Sequence, residues 1–195
     1  MSDVLPMPPR DDARAASELL LRELHDAIPR GFKVELVDGG LHVVSPTGDI
    51  PTRAADNILL SLRRYERTAG GRARGDNCTF EVDLPGRRSF SPDTSYTRAS
   101  VATRGAVAGA PDFAVEVRSS WDYGAHMEGE LAAKRNEYFA AGTQVVWDVD
   151  VLEDGVIRVY RSDRPDAPDV FRRGEVADAE PAVPGWRFPV DELFE

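Results

Sequence analysis

The segment PDFAVEV at residues 111–117 decides the fold, because it has the pattern of a buried β-strand that also carries acids. Side chains alternate between the two faces of a strand, so Phe113 and Val115 share one face. Glu116 and Arg118 share the other face. An unpaired carboxylate in a low-dielectric interior costs several kcal/mol, so Glu116 needs a cation, a hydrogen-bond donor or a metal.

Two acids on neighbouring predicted strands are therefore candidate metal ligands, and each also has a plainer explanation. In the simplest alternative, Glu116 forms a structural ion pair with Arg118 or with an arginine on a neighbouring strand. Asp93 follows Ser91 and Pro92 at the start of another predicted strand, where an acid is often only a turn residue. The strand pattern alone leaves these alternatives open.

The helix predicted over residues 125–141 favours the functional explanation, because it carries a cation on its apolar stripe. The stripe consists of Met127, Leu131, Lys134 and Tyr138. Lys134 therefore points toward the core, where it would lie beside Glu116 and Asp93. The alternatives are that Lys134 extends along the stripe to water, or that it forms an i,i+4 pair with Glu130.

The rest of the chain alternates short strands with helices. Strands are predicted over residues 32–37, 41–44, 78–84, 90–97, 112–117, 143–150 and 155–161. The first two are expected to form a hairpin through Asp38, Gly39 and Gly40, because Asp-Gly and Gly-Gly tolerate the positive φ angles of a tight turn. Further helices are predicted over residues 11–25 and 53–69, the second with Thr52 as its cap.

The composition fits one globular domain. The chain has 195 residues, of which 42% are hydrophobic, and we expect a flexible lead-in over residues 1–10 followed by a single domain over residues 11–195. No apolar run approaches the ~18 residues that a membrane helix needs, and the amino terminus lacks a signal-peptide pattern. We therefore expect a cytoplasmic protein that does not contact a membrane.

The residue types available for metal binding point to oxygen ligands. The single cysteine, Cys78, excludes a disulfide framework and a thiolate metal cluster. The three histidines, His25, His42 and His126, lack the spacing of a zinc site. Any bound metal should therefore be a hard cation such as magnesium or manganese.

The charge argues against a protein that coats nucleic acid through positive charge. The formal net charge is -10 at pH 7 and the isoelectric point is about 4.8. DNA stays possible as a substrate, because a local arginine cluster can line a cleft. Arginine-bearing segments occur at residues 63–67, 71–74, 86–88 and 171–173. Each of them is more often an ordinary solvated face.

An ordered series of motifs connects these observations. An Asp-Gly-Gly turn precedes Ser-Pro-Asp, then PDFAVEVRS, then a Lys-x-x-x-Tyr-x-x-x-Gly helix and VVWDVD. Over about residues 32–160 this series resembles the Uma-type family of predicted bacterial restriction endonucleases, a branch of the PD-(D/E)XK nuclease fold. The resemblance implies an α/β (α+β) fold of the restriction-endonuclease-like type, with a central mixed sheet flanked by helices and an N-terminal β-hairpin. It also implies a homodimer.

The resemblance assigns roles to residues of this chain. Asp93 corresponds to the acid of the PD element, Glu116 to the acid of the (D/E)XK element, and Lys134 to a lysine moved to the following helix. Possible accessory residues are Asp112, Arg118 and Glu35. The chain departs from the family at two places: the usual histidine is missing near the start of the helix over 53–69, and residue 118 is arginine where an apolar residue is usual.

The implied activity is metal-dependent hydrolysis of phosphodiester bonds, with DNA as the substrate of an endonuclease. Asp93 and Glu116 would bind magnesium or manganese, and Lys134 would orient or deprotonate water or stabilise charge in the transition state. Two other functions stay open from the sequence. One is a catalytically inactive nuclease-fold module for binding or assembly, and the other is a metal-dependent hydrolase of a small phosphorylated substrate.

Overall fold

The computed structural model describes residues 33–38, 40–44, 48–99 and 103–195 of the chain. The lead-in expected over residues 1–10 and the helix expected over 11–25 lie outside these residues. They stay predictions, as does a single domain that begins at residue 11. None of the helices in the described ranges is both long and apolar enough to cross a membrane.

The predicted N-terminal hairpin is confirmed. Strands β1 (Lys33–Val37) and β2 (Gly40–Val44) pair antiparallel. Asp38 has a positive φ of 50°, which a short polar side chain tolerates in a tight turn. The backbone N–H of Arg88 donates to the carbonyl of Leu36 at 2.9 Å, which joins β1 to the segment at residues 86–88.

The strands after the hairpin build the central sheet and two smaller ones. They are β3 (Arg72–Gly75), β4 (Phe80–Glu81), β5 (Ser89–Phe90), β6 (Thr94–Thr97), β7 (Val107–Ala108), β8 (Phe113–Val117), β9 (Val145–Asp150), β10 (Val156–Arg161), β11 (Arg164–Arg172), β12 (Val176–Asp178) and β13 (Arg187–Pro189). The central sheet has the order β11-β10-β9-β8-β6-β3. Its β8–β9 pair is parallel and its other pairs are antiparallel, so the mixed sheet predicted from the sequence is confirmed.

Some strands differ from their predicted bounds. The strand predicted over residues 78–84 is reduced to two residues in β4, and the one over 90–97 is divided into β5 and β6. The division falls at Pro92, which has no backbone N–H to give to a sheet. Strand β3 was not predicted, because its sequence RARG has no β-branched or aromatic residue.

Helix α1 (Asp49–Ala69) begins before the predicted cap, so the assignment of Thr52 as cap is wrong. Gly48 is the N-cap residue, and the N–H of Thr52 donates to its carbonyl at 3.1 Å. Pro51 is tolerated in the first turn, where a backbone N–H has no partner within the helix. The predicted end is confirmed at Gly70, whose φ is 82°.

Helix α2 (Ala125–Ala140) connects the two parallel strands at the centre of the sheet. Parallel neighbours need a crossover connection, and a helix of this length covers one face of the sheet. Tyr138 of α2 packs on this face with Phe90, Ala114 and Val146. The crossover therefore brings the helix that carries Lys134 next to β8.

The other face of the sheet packs against α1 and the C-terminal segment. Phe113 and Val115 lie in this larger core with Ile58 and Leu62 of α1. The alternation predicted for β8 is thus confirmed, because Ala114 lies in the core on the opposite face. Glu116 follows the direction of Ala114, toward α2.

The sequence underestimated the regular structure after residue 163. It predicted only short pieces at residues 169–173 and 190–194, whereas β11 has nine residues and β12 pairs with β13. A 3-10 helix (Val190–Phe194) then buries Leu193 against α1.

Candidate active site

A cleft of about 360 Å³ lies beside β1, β8 and α2. Five of the six candidate residues from the sequence line it, namely Glu35, Asp93, Glu116, Arg118 and Lys134. They come from four different parts of the chain, so the tertiary fold is what assembles them.

Asp93 and Glu116 both line the cleft, Asp93 from the residue just before β6 and Glu116 from β8. Thr94, which follows Asp93, is paired with Val115, which precedes Glu116, so the two acids come from adjacent positions on neighbouring strands. The backbone N–H of Val117 donates to Asp93 Oδ2 at 2.7 Å, and the N–H of Asp93 donates to the carbonyl of Val115 at 3.1 Å. These two bonds hold the Asp93 side chain against β8.

Two donors from α2 hold the carboxylate of Glu116. Lys134 Nζ donates to Oε2 at 3.0 Å, and the hydroxyl of Tyr138 donates to Oε1 at 2.6 Å. Lys134 and Tyr138 are one helical turn apart on the stripe described from the sequence. Lys134 thus points inward to Glu116, instead of extending to water along the helix.

A second acid, Glu35 of β1, contacts the same lysine. Its Oε1 atom lies 3.1 Å from Lys134 Nζ and accepts the N–H of Ser91 at 3.0 Å. Its Oε2 atom pairs with Arg87 Nη1 at 2.6 Å. Arg87 Nε in turn donates to Glu137 Oε2 of α2 at 2.6 Å. Alternating charges therefore connect the hairpin, the segment before β5 and α2.

The electrostatics of the cleft keep these groups in defined protonation states. Burial opposes a charge on Glu35, but the nearby Lys134 and Arg87 cations outweigh it and leave the pKa of Glu35 below its ordinary value. Burial also opposes a charge on Lys134, yet Glu116 and Glu35 outweigh it and raise the pKa of the ammonium. Burial and the nearby carboxylates raise the pKa of Tyr138 well above its ordinary value, so its hydroxyl stays a donor.

Arg118 lines the cleft but belongs to a separate ion cluster. Its Nε and Nη2 atoms donate to the two oxygens of Asp148 at 2.6 and 2.7 Å, and its guanidinium also pairs with Glu128 of α2. Arg118 and Asp148 are both 5% exposed. Such a bidentate pair fixes the guanidinium plane. The ion pair between Arg118 and Glu116 that the sequence allowed is replaced by this arrangement.

Asp112 is the candidate that the structure does not bring to the cleft. It precedes the opposite end of β8 from Glu116. Its carboxylate accepts the N–H of Arg98 at 2.8 Å and Arg98 Nε at 2.9 Å. Asp112 therefore has the geometry of a structural ion pair at the start of β8, a central strand of the sheet.

The arginine-bearing segments have different positions. Arg87 of the segment at 86–88 is buried and lines the cleft. Arg63 and Arg64 are exposed on α1, as expected for a solvated helix face. Arg173 lies over the ring of Phe194, with 3.8 Å between the guanidinium carbon and the ring centroid.

Sequence reasoning missed some residues of the cleft network. Asp148 occurs in VVWDVD, a strand whose six residues are all buried, and an acid in such a strand signals a buried cation in the same way as Glu116 does. The sequence around Glu137 and Ser91 carries no comparable sign that these residues belong to the network. In the described part of the chain, no group of three or more His, Cys, Asp or Glu side chains is arranged to hold a metal ion.

A solved structure has the same fold. It is described as a "putative nuclease belonging to DUF820" from Anabaena variabilis ATCC 29413, and it aligns with a TM-score of 0.67 and 19% sequence identity. The alignment covers 89% of this chain and 96% of the other. The nuclease-like fold predicted from the sequence is thereby confirmed. No curated protein matched the sequence.

A family model supports the same relationship at the level of sequence. The family described as "Uma2: Putative restriction endonuclease" matches residues 17–191. This span contains the hairpin, the central sheet, both described helices and every residue of the cleft named above. The resemblance seen in the ordered motifs is confirmed, and the chain belongs to the Uma2 family.

Proposed function

We propose that this protein is an endonuclease that hydrolyses DNA phosphodiester bonds with magnesium or manganese. The observation that carries the proposal is the convergence of Asp93, Glu116 and Lys134 on one cleft, with Lys134 Nζ 3.0 Å from Glu116 Oε2. Acids that can bind a hard cation, beside a lysine that can offset phosphate charge, are the residue types that such a hydrolysis needs. Membership of the Uma2 family supports the same reaction class.

The donor set fits a magnesium or manganese ion. Asp93 and Glu116 offer carboxylate oxygens, and magnesium is often bound by one or two carboxylates together with water and substrate oxygens. Two protein ligands are therefore sufficient. When bound, the ion would polarise the scissile phosphate and lower the pKa of a bound water.

The surrounding side chains would hold the site in position. The hydroxyl of Tyr138 and the ammonium of Lys134 orient the two oxygens of Glu116. Glu35 and Arg87 keep Lys134 at the cleft, where its charge would act on the non-bridging oxygens of the phosphate. A lysine that two carboxylates keep protonated is suited to charge stabilisation more than to proton abstraction.

Cleavage of a supercoiled plasmid with manganese tests the proposal. We expect the wild-type protein to nick or linearise the plasmid, and Glu116→Ala and Glu116→Gln to lose about 100-fold or more in rate. Glu116→Gln keeps the side-chain length and one acceptor for Tyr138, so it separates loss of the charge from loss of folding. Asp166→Ala, which removes an exposed carboxylate on β11, is the matched control and should cleave like the wild type.

A metal titration separates the proposed enzyme from an inactive module with the same fold. A protein that binds manganese only when folded is stabilised by it, so its melting temperature should rise with manganese concentration. We expect this rise in the wild type and its loss in Glu116→Gln. Absence of both cleavage and stabilisation in the wild type would contradict the proposal and favour a binding or assembly module.

A small phosphodiester is the second candidate substrate. The net charge of -10 disfavours long polyanions, and a cleft of about 360 Å³ is within the size range of small-molecule sites. Competition between duplex DNA and a small phosphodiester distinguishes these substrates. DNA should inhibit hydrolysis of the small compound at lower concentration if the protein is an endonuclease.

The homodimer and the cytoplasmic location implied by the sequence belong to the same proposal. Two-fold dimers are the commonest homo-oligomers, and the family resemblance implies one here. Sedimentation velocity of the full chain tests the oligomeric state, and a monomer at micromolar concentration would contradict it.

A further inference from the structure

Trp121 is an exposed indole at the cleft. It lies in the loop between β8 and α2, lines the cleft together with Asp93 and Glu116, and is 79% exposed. The other two tryptophans of the chain, Trp147 and Trp186, are buried and stack on each other. Tryptophan is enriched at binding surfaces, where its indole offers a large flat apolar face.

Hydrogen bonds hold the backbone turn that carries this indole. The N–H and the hydroxyl of Ser119 both donate to Asp122 Oδ2 at 2.7 Å, and the N–H of Asp122 donates to the carbonyl of Ser119 at 3.1 Å. The N–H of Trp121 donates to Ser119 Oγ at 3.3 Å. Since these bonds fix the turn, a ligand that stacks on the indole does not have to order the loop first.

The cleft has an apolar part and a charged part, and a nucleotide is divided in the same way. Met127 and Leu131 of α2 line it beside Trp121, whereas its charged part includes Glu116 and Lys134. A nucleotide likewise joins an aromatic base to a phosphate. Aromatic side chains bind bases through their π-faces, with little dependence on which base is present.

The accessibility of the base decides the form of DNA that fits. Inside a duplex, neighbouring base pairs cover both faces of each base, so an enzyme that contacts a face must use an unpaired or extruded base. A cleft of about 360 Å³ lies in the size range of sites that hold one small ligand, which suits a single nucleotide unit.

We infer that Trp121 stacks on an unpaired nucleobase next to the scissile phosphate, so that the protein prefers single-stranded or locally unpaired DNA over an intact duplex. The inference deepens the proposed function and rests on it for the position of the phosphate. It assigns to Trp121 a role in substrate binding and specificity.

Affinity measured with calcium in place of magnesium, to allow binding without turnover, tests the inference. The probes are a short thymidine oligonucleotide, an abasic strand of the same length and a duplex of that length. Trp121→Ala should weaken binding of the thymidine strand by about 5- to 100-fold, and Trp121→Phe should restore most of it. Leu60→Ala removes a side chain that is 51% exposed on α1 and is the matched control, with unchanged affinity.

Tryptophan fluorescence gives a second readout that does not depend on activity. Because Trp147 and Trp186 are 0% and 4% exposed, quenching by a bound base should report mainly on Trp121. The thymidine strand should quench the emission of the wild type, and the abasic strand should bind with little quenching. In Trp121→Phe the quenching should disappear.

The outcomes separate this inference from the proposed function. Plasmid cleavage without quenching, or equal binding of the strand and the duplex, would overturn the inference while the endonuclease stands. Quenching without cleavage would support base stacking and contradict the endonuclease. If Trp121→Ala binds DNA normally but converts a dimer to a monomer in sedimentation, the indole contacts a second copy of the chain and the inference is wrong.

Discussion

At the scale of single residues, two cations near the acids of the cleft have different environments. Lys134 lies between Glu116 and Glu35, at 3.0 and 3.1 Å. Arg118 instead forms a buried bidentate pair with Asp148. From the sequence either cation is able to serve Glu116. The hydrogen bonds place Lys134 beside Glu116, as the proposed chemistry requires, and hold Arg118 in a separate ion pair with Asp148.

Replacing Lys134 by methionine should remove most activity. The substitution keeps the apolar stem and deletes the charge that would act on the phosphate, so we expect turnover to fall by about 100-fold or more. Cleavage rates are compared under saturating manganese. The manganese also offsets the negative charge of Glu116 and Glu35, which lose the Lys134 ammonium as their partner. Arg67→Met, which removes an exposed cation from α1, is the control. A Lys134→Met variant with normal turnover would show that this lysine is structural.

Arg118→Met should act mainly on stability, although Arg118 is one of the accessory site residues expected from the sequence. The variant leaves Asp148 buried without its bidentate partner, and breaking a buried pair in this way costs about 3–5 kcal/mol. Urea unfolding measures the loss. The double variant Arg118→Met with Asp148→Asn, in which the unpaired charge of Asp148 is also removed, should regain part of the stability. Normal stability together with weaker DNA binding would support a substrate-binding role.

At the scale of elements, the N-terminal hairpin is attached to the rest of the fold by ion pairs as well as by hydrogen bonds of its backbone. Glu35 of β1 contacts Arg87 and Lys134, and the backbone N–H of Leu36 donates to Ser89 Oγ at 3.0 Å. A two-stranded hairpin is marginal by itself. The position of β1 at the cleft should therefore depend on the ionisation of Glu35.

The pH dependence of stability tests this attachment with Glu35→Gln. The pKa of Glu35 is lowered in the folded protein, so its ionised form contributes stability above its unfolded pKa of about 4.3. That contribution is lost as the pH falls through the folded pKa. Glu35→Gln should therefore be less stable than the wild type at neutral pH. The difference in the free energy of unfolding between the two proteins should become smaller at acidic pH.

Urea unfolding at a series of pH values measures the difference in the free energy of unfolding between the wild type and Glu35→Gln. Asp166→Asn neutralises an exposed acid and should follow the wild type at every pH. A difference of constant size down to acidic pH would show that Glu35 contributes by its shape or its hydrogen bonds and not by its charge.

At the scale of the whole molecule, one face of the central sheet carries most of the hydrophobic core and the other face carries the cleft. One face carries the large core, to which α1 and the C-terminal segment both contribute. The other face carries the smaller core with Tyr138 and, beyond it, the cleft. Trp147 and Trp186 stack within the large core, on the face away from Glu116. Stability and the proposed chemistry are therefore largely separable by mutation.

Leu193→Ala tests this separation. Leu193 is 1% exposed in the C-terminal 3-10 helix, and shortening a buried leucine costs about 2–5 kcal/mol. We expect a lower melting temperature, with the cleavage rate of the remaining folded protein unchanged. Val176→Ala, at a residue that is 49% exposed, should alter the melting temperature little. Loss of activity without loss of stability in Leu193→Ala would contradict the separation.

Local patterns were enough for the parts of the fold that depend on neighbouring residues. The Asp38 turn predicted the hairpin, alternating apolar residues predicted β8, and a stripe at helical spacing predicted the inward direction of Lys134. Each of these follows from turn chemistry or from the period of one element. Strand β3 was missed for the same reason, since its partners in the sheet, and not its own sequence, make it a strand.

The sequence by itself thus determined the fold class, the main elements around the cleft, and Glu35, Asp93, Glu116 and Lys134 among the residues that line it. Only the tertiary structure decided the pairing of those charges: Glu35 with Lys134, Arg118 with Asp148, and Asp112 with Arg98 away from the cleft. The physical reason is that a charged side chain pairs with the nearest opposite charge in space. Strand order and register decide which charge that is, and both depend on residues far apart in the chain.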